Sequence, residues 1–223
     1  MRIYAVNCDA GRATRLLTAA QPLDLDIVLV PSPLANDPEV LLRGQECLER
    51  KMAYPTGIAA TLGHLRAMQL LVDSEEPWGI VIEDDVRFRK DFKKIVARLE
   101  AEVDDADIIS LGFVNFPSGP SQEVAGVQMN KCVGLSNPWG AQCYMITRNY
   151  AKHLVETFEG ENLWSPYHGH FVTDWVLFDP VLGCRRHTLM DPIAIEDPSE
   201  QTIAGSTNKP DILVRLVRED YSF

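Results

Sequence analysis

Apolar and polar residues alternate in blocks along the first half of the chain. "RIYAVN" and "LDIVLVP" are short apolar runs closed by turn-forming residues, and Arg12 to Ala19 between them predicts a brief helix, so the chain opens as β-α-β. A polar, proline-containing connection then leads into "PTGIAATLGHLRAMQLLVDSEEP". Its apolar positions Ile58, Leu62, Leu65, Met68 and Val72 are spaced by threes and fours, which makes one helical face, opened at Pro55 or Thr56 and closed by Pro77. "WGIVIE" reads as a buried strand and "DFKKIVARLEAEV" as an amphipathic helix with Phe92, Ile95, Val96 and Leu99 inward. "ADIISLGFV" reads as a second strand covered on both faces. Strands and helices that alternate in this way predict an α/β domain with a mostly parallel central sheet flanked by helices. The second half is less regular. "GAQCYMITRNYAKHLVETF" turns from strand to helix, "GENLWSPYHGHFVTDWVLFD" is an aromatic loop feeding a short helix, and "NKPDILVRLVREDYSF" reads as a closing helix or a tail.

Composition narrows the function. The 223 residues suit one sizeable core, and no linker divides them. A formal net charge of -11 opposes sequence-independent nucleic-acid binding, which needs a lysine and arginine surface. A phosphorylated substrate would then need a metal ion or a local basic cluster. The five cysteines are scattered without a CxxC pair, which indicates neither a disulfide framework nor a structural zinc site. No run of 18 apolar residues occurs and the N-terminus lacks a signal-peptide pattern, so the expectation is a cytoplasmic protein.

Candidate chemistry centres on Glu83, Asp84 and Asp85 at the end of the "WGIVI" strand, where α/β sheets gather their ligands. Three adjacent carboxylates repel unless a cation neutralises them, and such oxygen donors suit Mg²⁺ or Mn²⁺ shared with substrate phosphates. The alternative is that Asp84 or Asp85 caps the next helix.

"GIAATLGHLRAMQLLVDSEEPWGIVIEDDVRF" resembles glycosyltransferase family 25, the lipopolysaccharide, lipooligosaccharide and collagen-type galactosyltransferases, in which a helix leads into a strand ending L-E-D-D. Further pieces agree in order: "IYAVNCDAGRATR", "DADIISLG", "WGAQCYMITRNYAKHLVE", "VTDWVLFD" and "DPIAIEDPSEQTIAGST", so the resemblance spans residues 3 to 206. The chain departs from the family at Gly57, Ala59, Ala60 and Gly63, and has Glu196 where glutamine is frequent.

The resemblance implies one GT-A-like domain over residues 1–223, with a nucleotide-sugar half (1–116) and an acceptor half (117–223). It implies a UDP-sugar donor carrying galactose or glucose, a saccharide or glycolipid acceptor, inversion at the anomeric carbon and a Mn²⁺ or Mg²⁺ cofactor on a DxD-type motif. A glycolipid acceptor would bring peripheral contact with the inner membrane. Asp85 and Glu83 are the implied metal ligands, with Asp84 near the ribose. Asp174 is the implied base, on the sugar face opposite the leaving group, with Asp179 as a rival; its other reading is a helix N-cap. Asn7 and Arg15 are implied at the nucleotide, or else end a strand and lie solvated on a helix. His64, Gly140 and Trp175 complete the implied substrate contacts, although His64 on its apolar helix reads first as a core histidine, and Trp164, Tyr167 and Trp175 could stack on sugar rings. His168 and His170 make a weak zinc pair with Asp174. His187 reads as exposed beside Arg185 and Arg186, or as a late metal ligand; the two arginines are diphosphate partners or surface charges. Two other classes remain open: a catalytically silent GT-A module that binds a glycan or a protein, and a metal-dependent phosphohydrolase or phosphotransferase.

Overall fold

The computed structural model describes residues 1–51, 53–113, 120–132, 140–159, 173–178 and 183–197. In chain order the elements are β1 (Ile3–Asn7), α1 (Ala10–Ala20), β2 (Ile27–Pro31), α2 (Pro38–Arg43), α3 (Gln45–Glu49) and α4 (Pro55–Asp73). Next come β3 (Trp78–Glu83), β4 (Val86–Phe88), α5 (Phe92–Glu102), β5 (Ile108–Ser110), β6 (Ser121–Val124) and β7 (Val127–Cys132). The last are β8 (Cys143–Thr147), α6 (Arg148–Thr157), α7 (Thr173–Phe178), β9 (Arg186–Leu189) and β10 (Ala194–Glu196).

Strand parity divides the core into two apolar layers. Tyr4 and Val6 of β1, Val81 of β3 and Tyr144 and Ile146 of β8 pack with α4, α6 and α7, while Ile3, Ala5, Ile80, Ile82, Cys143 and Met145 pack with α1 and α5. Side chains that alternate in this way need cover on both sides, and the helices supply it. The sheet order is β2-β1-β3-β8-β5-β9-β7-β6. The pairs β1–β2, β1–β3 and β5–β9 are parallel, but β8 runs antiparallel between β3 and β5, and β7 antiparallel to both β6 and β9. The α/β class with a helix-flanked sheet holds, consistent with a GT-A-like single domain, and the sheet is mixed.

α4 is the central helix. Pro55 occupies its first turn and it ends at Asp73, four residues ahead of Pro77. Ser74 leaves the helix in an extended conformation while its hydroxyl donates to Leu71 O at 2.8 Å, so the serine and not the proline stops it. Ile58, Leu62, Met68 and Leu71 are essentially inaccessible, each burial contributing about 2 kcal/mol of gross stabilisation. Gly63 lets the helix approach the sheet, since a Cβ there would lie 2.6 Å from Val6 and 2.8 Å from Ser32. The expected helix over Arg12 to Ala19 and the strand at "ADIISLGFV" both form, the first extended to Ala10–Ala20 and the second reduced to three residues. β4, β6, β7, β9 and β10, and the helices α2 and α3 in the polar connection, went unread in the sequence.

Candidate active site

The acidic stretch lies in the turn between β3 and β4. Glu83 ends β3, Asp84 and Asp85 form the turn, and α5 begins only at Phe92, with Asp91 as its N-cap residue. The triplet therefore caps no helix.

Parity sends the three acids to different places. Asp84 is 5% exposed; its Oδ2 accepts from Asn7 Nδ2 at 2.9 Å and from the Cys8 N–H at 3.1 Å, and its Oδ1 lies 3.3 Å from Arg12 Nη1. Asp85 Oδ2 lies 3.4 Å from the same nitrogen. Arg12 is itself buried, presented by α1, whose first turn is fixed by Asp9 Oδ1 accepting the Arg12 N–H at 2.8 Å. The positive partner of the acidic pair is thus an arginine that sequence reasoning missed. Arg15, expected at the nucleotide, is exposed on α1. Asn7 both ends β1 and orients Asp84, and the donors around Asp84 give that carboxylate an internal organising role.

Glu83 lies on the opposite, α4 side of the sheet. Its Oε1 is 3.6 Å from His64 Nε2, and its N–H donates to the Gln142 carbonyl at 3.0 Å. Burial, followed by the charges of Glu196, Asp174 and Asp84, pushes the Glu83 carboxyl up to about 8, although about a third of its side-chain surface is exposed. His64 is fully enclosed, and burial lowers it to about 4, so it is the neutral core histidine of the two readings. Its Nδ1 sits 2.9 Å from the Tyr144 hydroxyl and its ring stacks on that tyrosine.

Asp174 reaches the same region from α7. Its Oδ1 accepts the Gly140 N–H at 3.0 Å, across 34 residues of sequence. Gly140 has φ +128°, where an L side chain is strained, so glycine is what allows this N–H to point at the carboxylate. Burial raises the Asp174 carboxyl, opposed by the Gly140 hydrogen bond and by Arg186. α7 is tied to α4 by the Thr61 and Thr173 hydroxyls, 3.2 Å apart, and to α6 by Tyr150 Oη donating to Leu177 O at 3.1 Å. Asp174 is the second residue of α7 and its carboxylate serves Gly140, so the N-cap reading falls away. Glu196 comes in from β10, paired opposite Val86 of β4. The site therefore brings together Glu83, His64, Asp174 and Gly140, while Asp84 and Asp85 face Arg12 from the turn that follows.

Other expectations meet a different outcome. His187 is buried in the sheet between β5 and β7, not exposed, with Nε2 3.6 Å from Asp105. Arg186 is also buried, its guanidinium 3.4 Å over the Phe178 ring, while Arg185 is an exposed partner of Asp107. The Trp175 side chain, Trp164, Tyr167, His168, His170, Asp179 and the segment from 198 onward lie outside the described residues. No helix among the described residues is long and apolar enough to cross a membrane.

Among the described residues no group of three or more His, Cys, Asp or Glu side chains is disposed to hold a metal ion. A cage built by protein ligands alone is therefore not formed there. Glu83 at the end of β3 and Asp85 two residues on in the turn would supply the one or two carboxylates through which Mg²⁺ or Mn²⁺ is held when substrate phosphates complete the shell.

The family model described as glycosyltransferase family 25 (LPS biosynthesis protein) matches residues 48–166, more than half of the chain. That stretch includes α4, β3, the acidic turn and Gly140; Asn7, Arg12 and Asp174 fall outside it. No curated protein matches the chain.

Proposed function

Because the chain belongs to glycosyltransferase family 25, we propose that it moves a hexose, galactose or glucose, from a UDP-sugar to a hydroxyl of a saccharide or glycolipid acceptor, with inversion, during assembly of a surface glycan such as lipopolysaccharide. The observation that carries this reading is Asp174. A carboxylate from the second half of the chain is fixed by a backbone N–H beside the end of β3, where an α/β sheet receives its ligand.

Inversion in one displacement needs a base that takes the acceptor hydroxyl's proton as that oxygen attacks the anomeric carbon. Asp174 serves, because burial raises its proton affinity while the Gly140 N–H holds one oxygen and leaves the other to the acceptor. Arg12, Asn7 and the Cys8 N–H hold Asp84 and the end of β1 in place, and so shape the floor under the nucleotide. A Mn²⁺ or Mg²⁺ ion shared by Asp85, Glu83 and the diphosphate would neutralise charge that builds on the departing UDP. Contact with a membrane surface belongs to this reading only for a glycolipid acceptor.

Calorimetric titration with UDP, with and without Mn²⁺, on the wild type and on Asp85→Asn is the test. The expected result is UDP binding that needs both the metal and Asp85, with negligible binding of Mn²⁺ alone. No UDP binding under any condition refutes the UDP-dependent reading and favours the silent module. Release of phosphate from simple esters without sugar transfer favours the phosphohydrolase.

A further inference from the structure

One side chain beside Glu83 has no part in the mechanism above. Gln142 is 2% exposed, and its Oε1 is buried without a hydrogen-bond partner. Register fixes where it lies. Its carbonyl accepts the Glu83 N–H, which continues the β3–β8 pairing one step past Ile82 and Cys143 and sets Gln142 opposite Glu83. Glu83, which follows Val81 and Ile82, is on the α4 side, and residues directly opposite across an antiparallel pair share a face. A second atom there is in the same state: His64 Nε2 is buried, has no hydrogen-bond partner and lies 3.6 Å from Glu83 Oε1.

Buried polar atoms in folded proteins are nearly always paired, because desolvation without a partner is not repaid. Two such atoms at the ligand end of a sheet, one facing the Glu83 carboxyl and the other on the residue whose backbone pairs with Glu83, mark a place where partners arrive from outside. The donor and acceptor inventory says what kind. Gln142 Oε1 is an acceptor, and the Asp174 carboxyl has a second oxygen beyond the one that takes the Gly140 N–H. A phosphate brings only acceptors and gains nothing from them, whereas a polyhydroxylated ring brings O–H donors.

We propose that Gln142 Oε1 accepts a hydrogen bond from a hydroxyl of the transferred hexose and thereby helps set which sugar the protein uses. The inference rests on the UDP-sugar reading of the same site.

Gln142→Met, which keeps the side chain's length and removes the amide, tests it with UDP, UDP-galactose and UDP-glucose as probes. The expected variant melts no lower than wild type, binds UDP unchanged, and binds the preferred UDP-hexose about 3- to 10-fold more weakly, the worth of one neutral hydrogen bond. The same variant should discriminate less between the two sugars. Unchanged UDP-hexose affinity overturns the proposal. So does a parallel weakening of UDP and UDP-hexose, or a lowered melting temperature, since each makes Gln142 a structural residue. A Gln142→Asn variant that also keeps full sugar discrimination would count against it, because the shortened amide withdraws the acceptor. If wild type binds UDP-hexose no better than UDP, the inference fails while the nucleotide reading stands; if it binds neither, both fail.

Discussion

Replacing Arg12 with methionine removes the guanidinium that faces Asp84 at 3.3 Å and Asp85 at 3.4 Å, and leaves two carboxylates that are 5% and 8% exposed. At an effective dielectric near 20, each contact is worth about 5 kcal/mol of gross attraction, most of which offsets the cost of taking the ions out of water. The loss on removing one partner is larger than the net worth of the pair, because the remaining charges stay buried. It should be about 3–5 kcal/mol, from a total of about 5–15 kcal/mol for a domain. Urea unfolding followed by far-UV circular dichroism reads it directly. With a slope of about 2–3 kcal/mol per molar, the midpoint should fall by about 1–2 M. Burial also means that 0.5 M salt should leave most of the difference in place. Asp84→Asn in the Arg12→Met background should recover part of the loss, a coupling above about 1 kcal/mol between residues in contact. A loss under about 1 kcal/mol, or one that salt abolishes, would show that the arginine is solvated and that the acidic pair is neutralised some other way.

Arg15→Ala, one turn along the same helix and exposed, should change stability by less than about 0.5 kcal/mol in the same urea assay. Gly140→Ala forces a side chain onto φ +128° and should cost about 1–3 kcal/mol while lowering kcat for sugar transfer, measured by melting and initial rates. Asp174→Asn should leave UDP affinity within about twofold and reduce kcat by about 10²–10⁴-fold. Between pH 4.5 and 6.5, raised Glu83 and lowered His64 should nearly cancel: the folded state holds an extra proton on Glu83 and lacks one on His64. From about pH 6.5 to 8 only Glu83 still differs, so stability should fall as pH rises; Glu83→Gln should abolish that fall and expose a rise between pH 4 and 6.5, read from urea midpoints across pH.

Much of the α/β frame was legible because its elements are long enough to show a period. α5 buries Phe92, Ile95, Val96 and Leu99, the stripe that its spacing predicts, and β3 is the continuous apolar run it appears in sequence. β4, β9 and β10 have three or four residues each, too short for alternation to register, and their pairing depends on partners far along the chain. His187 was misjudged for the same reason. Its flanking arginines suggest surface, but a strand paired on both sides is enclosed whatever its neighbours carry. Arg12 did leave a signal. It precedes Leu16, Ala19 and Ala20 at spacings of four, seven and eight, so it belongs to the buried stripe of α1, and Arg15 does not. Gln142 left none, since an orphaned acceptor exists only once the strands around it are paired.

The acidic stretch can be understood from the same parity. In β3, Val81 faces α4 and Ile82 faces α5, so Glu83 must return to the α4 side, while the turn that follows carries Asp84 and Asp85 to α1. Three consecutive charges are thereby divided between two environments. On the α1 side the buried Arg12 supplies a counter-charge to both acids, and Asp84 organises the end of β1. On the α4 side Glu83 meets Glu196 and Asp174 and its carboxyl is pushed up to about 8, which is the response of an acid whose burial and neighbouring charges favour the neutral form. A folded protein gains nothing by collecting carboxylates and two buried polar atoms without hydrogen-bond partners at one strand end, and it gives up stability to keep them there. That cost is recovered when a ligand brings hydroxyl protons, a cation, or both, which is what a sugar nucleotide with its metal would deliver.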